Sequence, residues 1–400
     1  MTGGTHSLGG TTGGLASGGR SDAGGTPNQG GTSGGESMQP GGGFPSASGG
    51  LPAGGHDTGG SAGDSSGTSA GGTPEAGGEA GAGGSPGPDL RPCDIYASGN
   101  SPCVAAYSTV RALLVGYSGP LYQVRRADGA TLDIEVLAPG SVANAAQQDA
   151  FCGAQACTVS MLYDQSGEGN HLTKAPPGCF ESQDSANESD AKGRSLTVAG
   201  HDVYALYTIA ADGYRNNSTH GVPTGDEAQG IYAVVDGKRY GEGCCWDFGN
   251  ATRDNCPGGT GSANALFFGT AYWGTGAGEG PWFMGDFQPG VWSGGSGASR
   301  TQNSELPSSN GNFAFGTLKT STNSYAIRVG DARAGGLTTA YDGPAPAAWQ
   351  LEGSIVLGIG IDTNSSSFAT FFEGAVTNGR PSDAIDEAVL KNVQAAGYGR

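Results

Sequence analysis

Asp286 and Gln288 stand two residues apart in Trp282-Phe283-Met284-Gly285-Asp286-Phe287-Gln288-Pro289-Gly290. On an extended strand their side chains would face the same way. A second acid, Asp362, follows the apolar run Leu357-Gly358-Ile359-Gly360-Ile361 and opens a Thr-Asn-Ser loop. A strand end fixes such a group while the loop leaves it reachable. The competing reading is a turn aspartate capped through Asn364 or Ser365. Cys244 and Cys245 are adjacent. Neighbouring Cα atoms lie about 3.8 Å apart across a trans peptide, short of the usual disulfide range of about 4.4–6.8 Å. A bond between them therefore needs a tight turn, which Gly241 and Gly243 would permit; otherwise each pairs elsewhere, for instance with Cys256. Trp273 offers an indole face that could cover the apolar side of a sugar ring, or else it fills the core or its rim. Glu279 and Asp247 are further candidate carboxylates, each expected instead to be a solvated loop residue. His171 and His220 have no paired metal spacing, and His171 is expected to order the loop at Asn170. Trp282 is expected in the core.

These groups need elements to hold them, and the chain divides sharply. The first 90 residues contain 33 of the 78 glycines and no Val, Ile, Tyr, Trp or Cys. Such a segment cannot offset the entropy of ordering its backbone, so 1–90 reads as a disordered Gly/Ser/Thr-rich tether. Its glycines do not recur every third residue, which excludes a collagen helix. From Arg91 to Arg400 cysteines, aromatics and β-branched runs appear together. The runs Cys157–Tyr163, Gly230–Val235, Ala265–Phe268, Ser324–Val329 and Ser354–Ile361 are short and separated by Gly, Asn, Asp and Ser clusters. That pattern predicts a mainly β, single-domain sandwich. Helical spacing through Val110, Leu113 and Leu114 predicts a helix over Ser108–Val115. A final helix should start at Ser382, with Asp383, Asp386 and Glu387 near its N-terminal dipole and Ile385, Val389, Leu390 and Val393 as its buried stripe.

The formal charge is −18, with no basic cluster that would mark a nucleic-acid partner. No run approaches the roughly 18 apolar residues of a membrane span. All eight cysteines, at 93, 103, 152, 157, 179, 244, 245 and 256, lie in the predicted folded part. Their even number and close spacing point to disulfides and an oxidising compartment. Zinc is the alternative, but there is no Cys-x-x-Cys pair and only His171, His201 and His220 accompany them. No metal or cofactor is expected. Met1–Gly10 lacks the basic start and apolar stretch of a signal peptide. The expectation is a secreted or cell-surface protein, with a gene that extends upstream of this start as the favoured reading and another export route as the alternative.

Several phrases recur in order: Pro92-Cys93-Asp94-Ile95-Tyr96, Ser101-Pro102-Cys103-Val104-Ala105-Ala106, Tyr163-Asp164-Gln165-Ser166-Gly167 with Gly169-Asn170-His171-Leu172, and Ala175-Pro176-Pro177-Gly178. Gly213-Tyr214-Arg215-Asn216-Asn217, Thr224-Gly225-Asp226-Glu227-Ala228, Cys244-Cys245, Gly280-Pro281-Trp282 and Leu357-Gly358-Ile359-Gly360 follow. From Pro92 to Tyr398 the series resembles the catalytic domain of glycoside hydrolase family 54, the arabinofuranosidase B type of α-L-arabinofuranosidase. The resemblance implies a lectin-like β-sandwich and retaining removal of terminal arabinofuranose from hemicellulose or pectin side chains. It also implies a C-terminal sugar-binding β-trefoil, which these 400 residues do not include. It places the acid/base at Asp362 and the nucleophile at Gln288, where the family has glutamate. An amide cannot form the ester-linked glycosyl-enzyme, so altered or lost turnover follows. Asp286 becomes a sugar contact or a substitute nucleophile. Cys244, Cys245, Trp273, Gly290 and Ile361 fall at sugar-lining positions, with Pro289, Gly290 and Ile361 departing from the family's residues. The resemblance pairs Cys93 with Cys103, Cys152 with Cys157 and Cys244 with Cys245, which leaves Cys179 and Cys256 to each other. The partner implied is an arabinose-containing polysaccharide or oligosaccharide, bound by a monomer. The alternative function is a non-catalytic carbohydrate-binding domain.

Overall fold

β-Branched and aromatic runs bounded by glycine and asparagine pair into two antiparallel sheets, stacked face to face. The computed structural model describes residues 90–180, 184–271, 274–363 and 367–399. The predicted tether, Trp273 and the capping residues Asn364 and Ser365 lie outside the described residues.

The seven-stranded sheet runs in the order Cys103–Ser108, Ala369–Asn378, Gln229–Tyr240, Ala314–Ser321, Ser324–Asp331, Ala334–Pro344, with Leu206–Tyr207 also on Ala369–Asn378. The ten-stranded sheet runs Val291–Trp292, Trp282–Asp286, Asn264–Gly269, Asp247–Ala251, Ser354–Ile359, Tyr214–Asn216, Leu172–Lys174, Cys157–Leu162, Pro120–Arg126, Thr131–Glu135. All five runs read as strands from the sequence are strands here.

Alternation along the strands separates two buried layers. Phe248 packs on Phe371 of the other sheet, and a Cβ on Gly316 would strike the ring of Phe283, so these residues fill the space between the sheets. Neighbours of opposite parity on the seven-stranded sheet point outward to the helices. Tyr232 meets Tyr96 of the helix Pro92–Ser98, and Lys319 meets Asp386 of the helix Asp383–Ala395 at 2.7 Å. The order is therefore the helices Pro92–Ser98 and Asp383–Ala395, the seven-stranded sheet, then the ten-stranded sheet, with the outer face of the last turned away from these two helices.

The final helix forms as expected. The Ser382 hydroxyl accepts from the Ile385 N–H, and Val389, Leu390 and Val393 are buried while Ile385 packs partly buried against the core. The expected helix Ser108–Val115 does not form. The Ser108 hydroxyl accepts from the N–H groups of Val110 and Arg111, and the Leu113 N–H donates to Gln165 Oε1. The backbones of Ala112 and Leu113 bond to Ser141 and Cys93. Side-chain and long-range partners take the groups a helix would have paired internally, and the apolar spacing reflects burial in an irregular connection. Two other helices, Pro92–Ser98 and Ala145–Cys152, begin at Pro92 in the first turn and at the Asn144 cap.

Four disulfides join Cys93–Cys103, Cys152–Cys157, Cys179–Cys256 and Cys244–Cys245. The peptide between Cys244 and Cys245 is cis. Among the described residues, no helix is long and apolar enough to cross a membrane.

Candidate active site

Three aspartates interact on the ten-stranded sheet. Asp247 begins the strand Asp247–Ala251, Asp286 ends Trp282–Asp286, and Asp362 lies just beyond Ser354–Ile359. Trp246 and Phe248 turn inward to Phe371, so Asp247 between them faces outward. The strand Asn264–Gly269 lies between the first two acids, setting Ala265 opposite Asp286 and Phe267 opposite Asp247. The small side chain of Ala265 leaves room beside Asp286.

Asp286 is almost fully buried. Its Oδ1 accepts the Gln288 N–H at 3.1 Å, and its Oδ2 touches Cys245 Sγ at 3.6 Å. A disulfide sulfur carries no proton, so the second contact is van der Waals and electrostatic. One carboxylate oxygen of Asp286 and the sulfurs of Cys244 and Cys245 all lie within 4.8 Å of one another. Burial pushes the Asp286 carboxyl up to about 7, and the charge of Asp362 pushes the same way, against the Gln288 N–H. Asp247 is raised well above the ordinary carboxylate range, first by burial and then by the charges of Asp286 and Asp362; the Ile361 N–H opposes this. The solvated-loop reading of Asp247 is thus overturned: it is fully buried at the head of a strand. The alternation Trp-Asp-Phe carried that signal, because flanking core residues force the middle one to the opposite face. Glu279 is exposed, as expected.

The strand stops at Asp286, so strand alternation does not set Gln288. Residues Phe287 to Gly290 form the turn to Val291–Trp292, with the Phe287 N–H donating to the Gly290 carbonyl at 3.2 Å. Gln288 has φ 50°, a left-handed conformation costing an L-residue about 1–2 kcal/mol. Its backbone turns back onto Asp286, and the residue is buried beside it. Gly290 closes this turn with φ 150°.

Asp362 is half-buried in a turn closed by Thr363 N–H to Gly360 O at 2.8 Å. Ile361 is buried, and its carbonyl accepts from Arg215 Nη1 at 2.6 Å. Arg215 also donates to Asn217 Oδ1 at 2.6 Å and to the Thr252 carbonyl. Burial brings its guanidinium down to about 10, partly offset by Asp254, Asp362 and Glu352. Sequence reasoning gave Arg215 no role, although it stands inside a recognised phrase. The structure thus brings Asp286, Gln288, Cys244, Cys245, Ile361 and Asp362 together, and adds Asp247 and Arg215. Trp282 is buried, with its indole N–H donating to Ala277 O at 3.0 Å. His171 Nδ1 accepts the Asp164 N–H beside the Asn170 loop.

A family profile described as "Alpha-L-arabinofuranosidase B, catalytic" matches residues 92–399. The probable α-L-arabinofuranosidase B of Aspergillus fumigatus is 46% identical over 317 residues, covering 77% of this chain and 62% of the relative. An α-L-arabinofuranosidase of Hypocrea jecorina is 46% identical over 77% of this chain and 63% of its own length. Two solved structures have TM-scores of 0.75. One, 42% identical, is a glutamate-to-glutamine mutant of a GH54 α-L-arabinofuranosidase soaked with 4-nitrophenyl α-L-arabinofuranoside, matched over 77% of this chain and 66% of that one. The other, 41% identical over 78% and 66%, is an arabinofuranosidase complexed with arabinofuranosyl-α-1,2-xylobiose. The chain belongs to the arabinofuranosidase B catalytic family, GH54, and spans about 62% of the length of the curated relatives it matches.

Proposed function

We propose that this chain is a glycoside hydrolase that removes terminal α-L-arabinofuranosyl groups from hemicellulose or pectin side chains, working outside the cell as a monomer. Residues 91–400 form the catalytic domain, and 1–90 serve as its tether. The observation that carries the reading is the proximity of Asp286 to Asp362 and to the Cys244–Cys245 sulfurs. The cystine lines the sugar, with Gly290 at its rim.

In the reaction, the Asp286 carboxylate attacks the anomeric carbon as the glycosidic C–O bond breaks, and Asp362 gives its proton to the leaving oxygen. Water then attacks the same carbon, losing its proton to Asp362 and releasing Asp286. Asp286 takes this part because Gln288, at the family's nucleophile position, has no carboxylate.

Gln288 itself favours a second reading, in which the site binds arabinofuranosides without cleaving them. Hydrolysis and binding of 4-nitrophenyl α-L-arabinofuranoside separate the two, measured on wild type, Asp286→Asn, Asp362→Asn and Gln288→Glu. Wild-type turnover lost in both Asp→Asn variants supports the hydrolase. Binding without turnover, with turnover gained in Gln288→Glu, supports the binding domain. Neither binding nor turnover in any variant refutes both readings.

A further inference from the structure

Asp247 has the least explained chemistry in the described fold. It is fully buried, and neither of its oxygens meets a donor of full hydrogen-bond geometry among the described residues. The Ile361 N–H faces it from the Asp362 turn. A bare carboxylate in that position is costly, because burial removes its water and the protein returns too little. A protonated carboxyl changes the count: one oxygen becomes a donor, and the acceptor within reach is Asp286. Asp286 is already fixed on two other sides, by the Gln288 N–H at 3.1 Å and Cys245 Sγ at 3.6 Å.

We propose that Asp247 is a positioning residue that shares one proton with Asp286 and so holds the Asp286 carboxylate in place toward the sugar. This rests on the reading of Asp286 as the sugar-facing carboxylate. The groups around the pair assign the proton. From the turn after Trp282–Asp286, the Gln288 N–H favours charge on Asp286. From the loop after Ser354–Ile359, Asp362 adds a negative charge that opposes ionising both members. Arg215, on Tyr214–Asn216, is the cation facing Asp362. The cystine before Asp247 contributes no proton. The pair therefore carries a single charge, placed on Asp286, with Asp247 as the acid. Two adjacent carboxyls behind one wall of sulfur act as one anion of fixed direction.

The test needs no sugar in its first arm. Side-chain carbons of Asp247 and Asp286 are followed against pH in full-chain protein labelled with [13C]aspartate, assigned through Asp247→Asn and Asp286→Asn. In wild type both carbons should move together in two steps. In Asp247→Asn, whose amide still donates, Asp286 should titrate in one. In the second arm, Asp247→Asn should bind 4-nitrophenyl α-L-arabinofuranoside within about threefold of wild type, while Asp247→Leu, which cannot donate, should bind at least tenfold more weakly. A single Asp286 step in wild type, unmoved by Asp247→Asn, overturns the proposal, as does equal weakening by Asn and Leu. If wild type binds no arabinofuranoside, the arabinofuranoside reading fails and the titration alone decides the shared proton.

Discussion

Replacing Asp286 with asparagine should make the protein more stable at neutral pH and leave it unchanged in acid. Burial lifts this carboxyl from 3.8 to about 7, so the folded protein holds the proton more tightly than the unfolded chain does. For an acid raised in this way, the contribution to stability is fully present below about pH 4 and is lost as pH climbs through about 7. Three units at about 1.4 kcal/mol each make that loss about 4 kcal/mol by pH 8. That figure already includes the favourable bond from the Gln288 N–H, and asparagine keeps an acceptor for it. The net gain at pH 8 is therefore about 4 kcal/mol. At roughly 2 °C per kcal/mol for a domain of this size, the midpoint should rise by about 8 °C. Thermal unfolding of wild type and Asp286→Asn at pH 4 and pH 8 measures it directly. A variant less stable than wild type at pH 8, or an offset that is equal at both pH values, would refute the reasoning.

Glu373 accepts from Arg111 Nη2 at 2.7 Å, Tyr398 at 2.6 Å and Tyr232 at 3.2 Å, and is fully buried. Glu373→Gln leaves the buried Arg111 cation without its counter-charge and should cost about 3–5 kcal/mol in urea unfolding. Arg215→Met frees the Ile361 carbonyl that steadies the Asp362 turn, and should lower arabinofuranoside binding or turnover about tenfold. Arg215→Lys, which can still reach one carbonyl, should recover part of that loss.

Strand positions were legible in the sequence because runs such as Ser324–Val329 combine β-branched residues with flanking turn formers, and the final helix because its cap, charges and stripe agree. Ser108–Val115 misled because helical spacing records only which residues are buried. The competing partners of its backbone, Gln165, Ser141 and Cys93, come from distant parts of the chain. At the site, Asp286 and Asp362 were readable as candidates through the surrounding phrases. The pairing of Asp247 with Asp286 was not, because it depends on the register of two strands across a third. The anchoring of Ile361 by Arg215 was hidden for the same reason: 146 residues separate donor and acceptor.

The carbonyl of Leu90, at the start of the described chain, accepts from the side chain of Asn392 in the last helix. Leu90 and the final helix are thus fastened together over the seven-stranded sheet, while the aspartates lie on the far side, on the ten-stranded one. With layers about 10 Å apart, two sheets stand between the point of attachment and the point of contact. A support coupled at Leu90 would therefore hold the domain by its back. An immobilised preparation should keep its binding face open to a polymer too large to enter any pore.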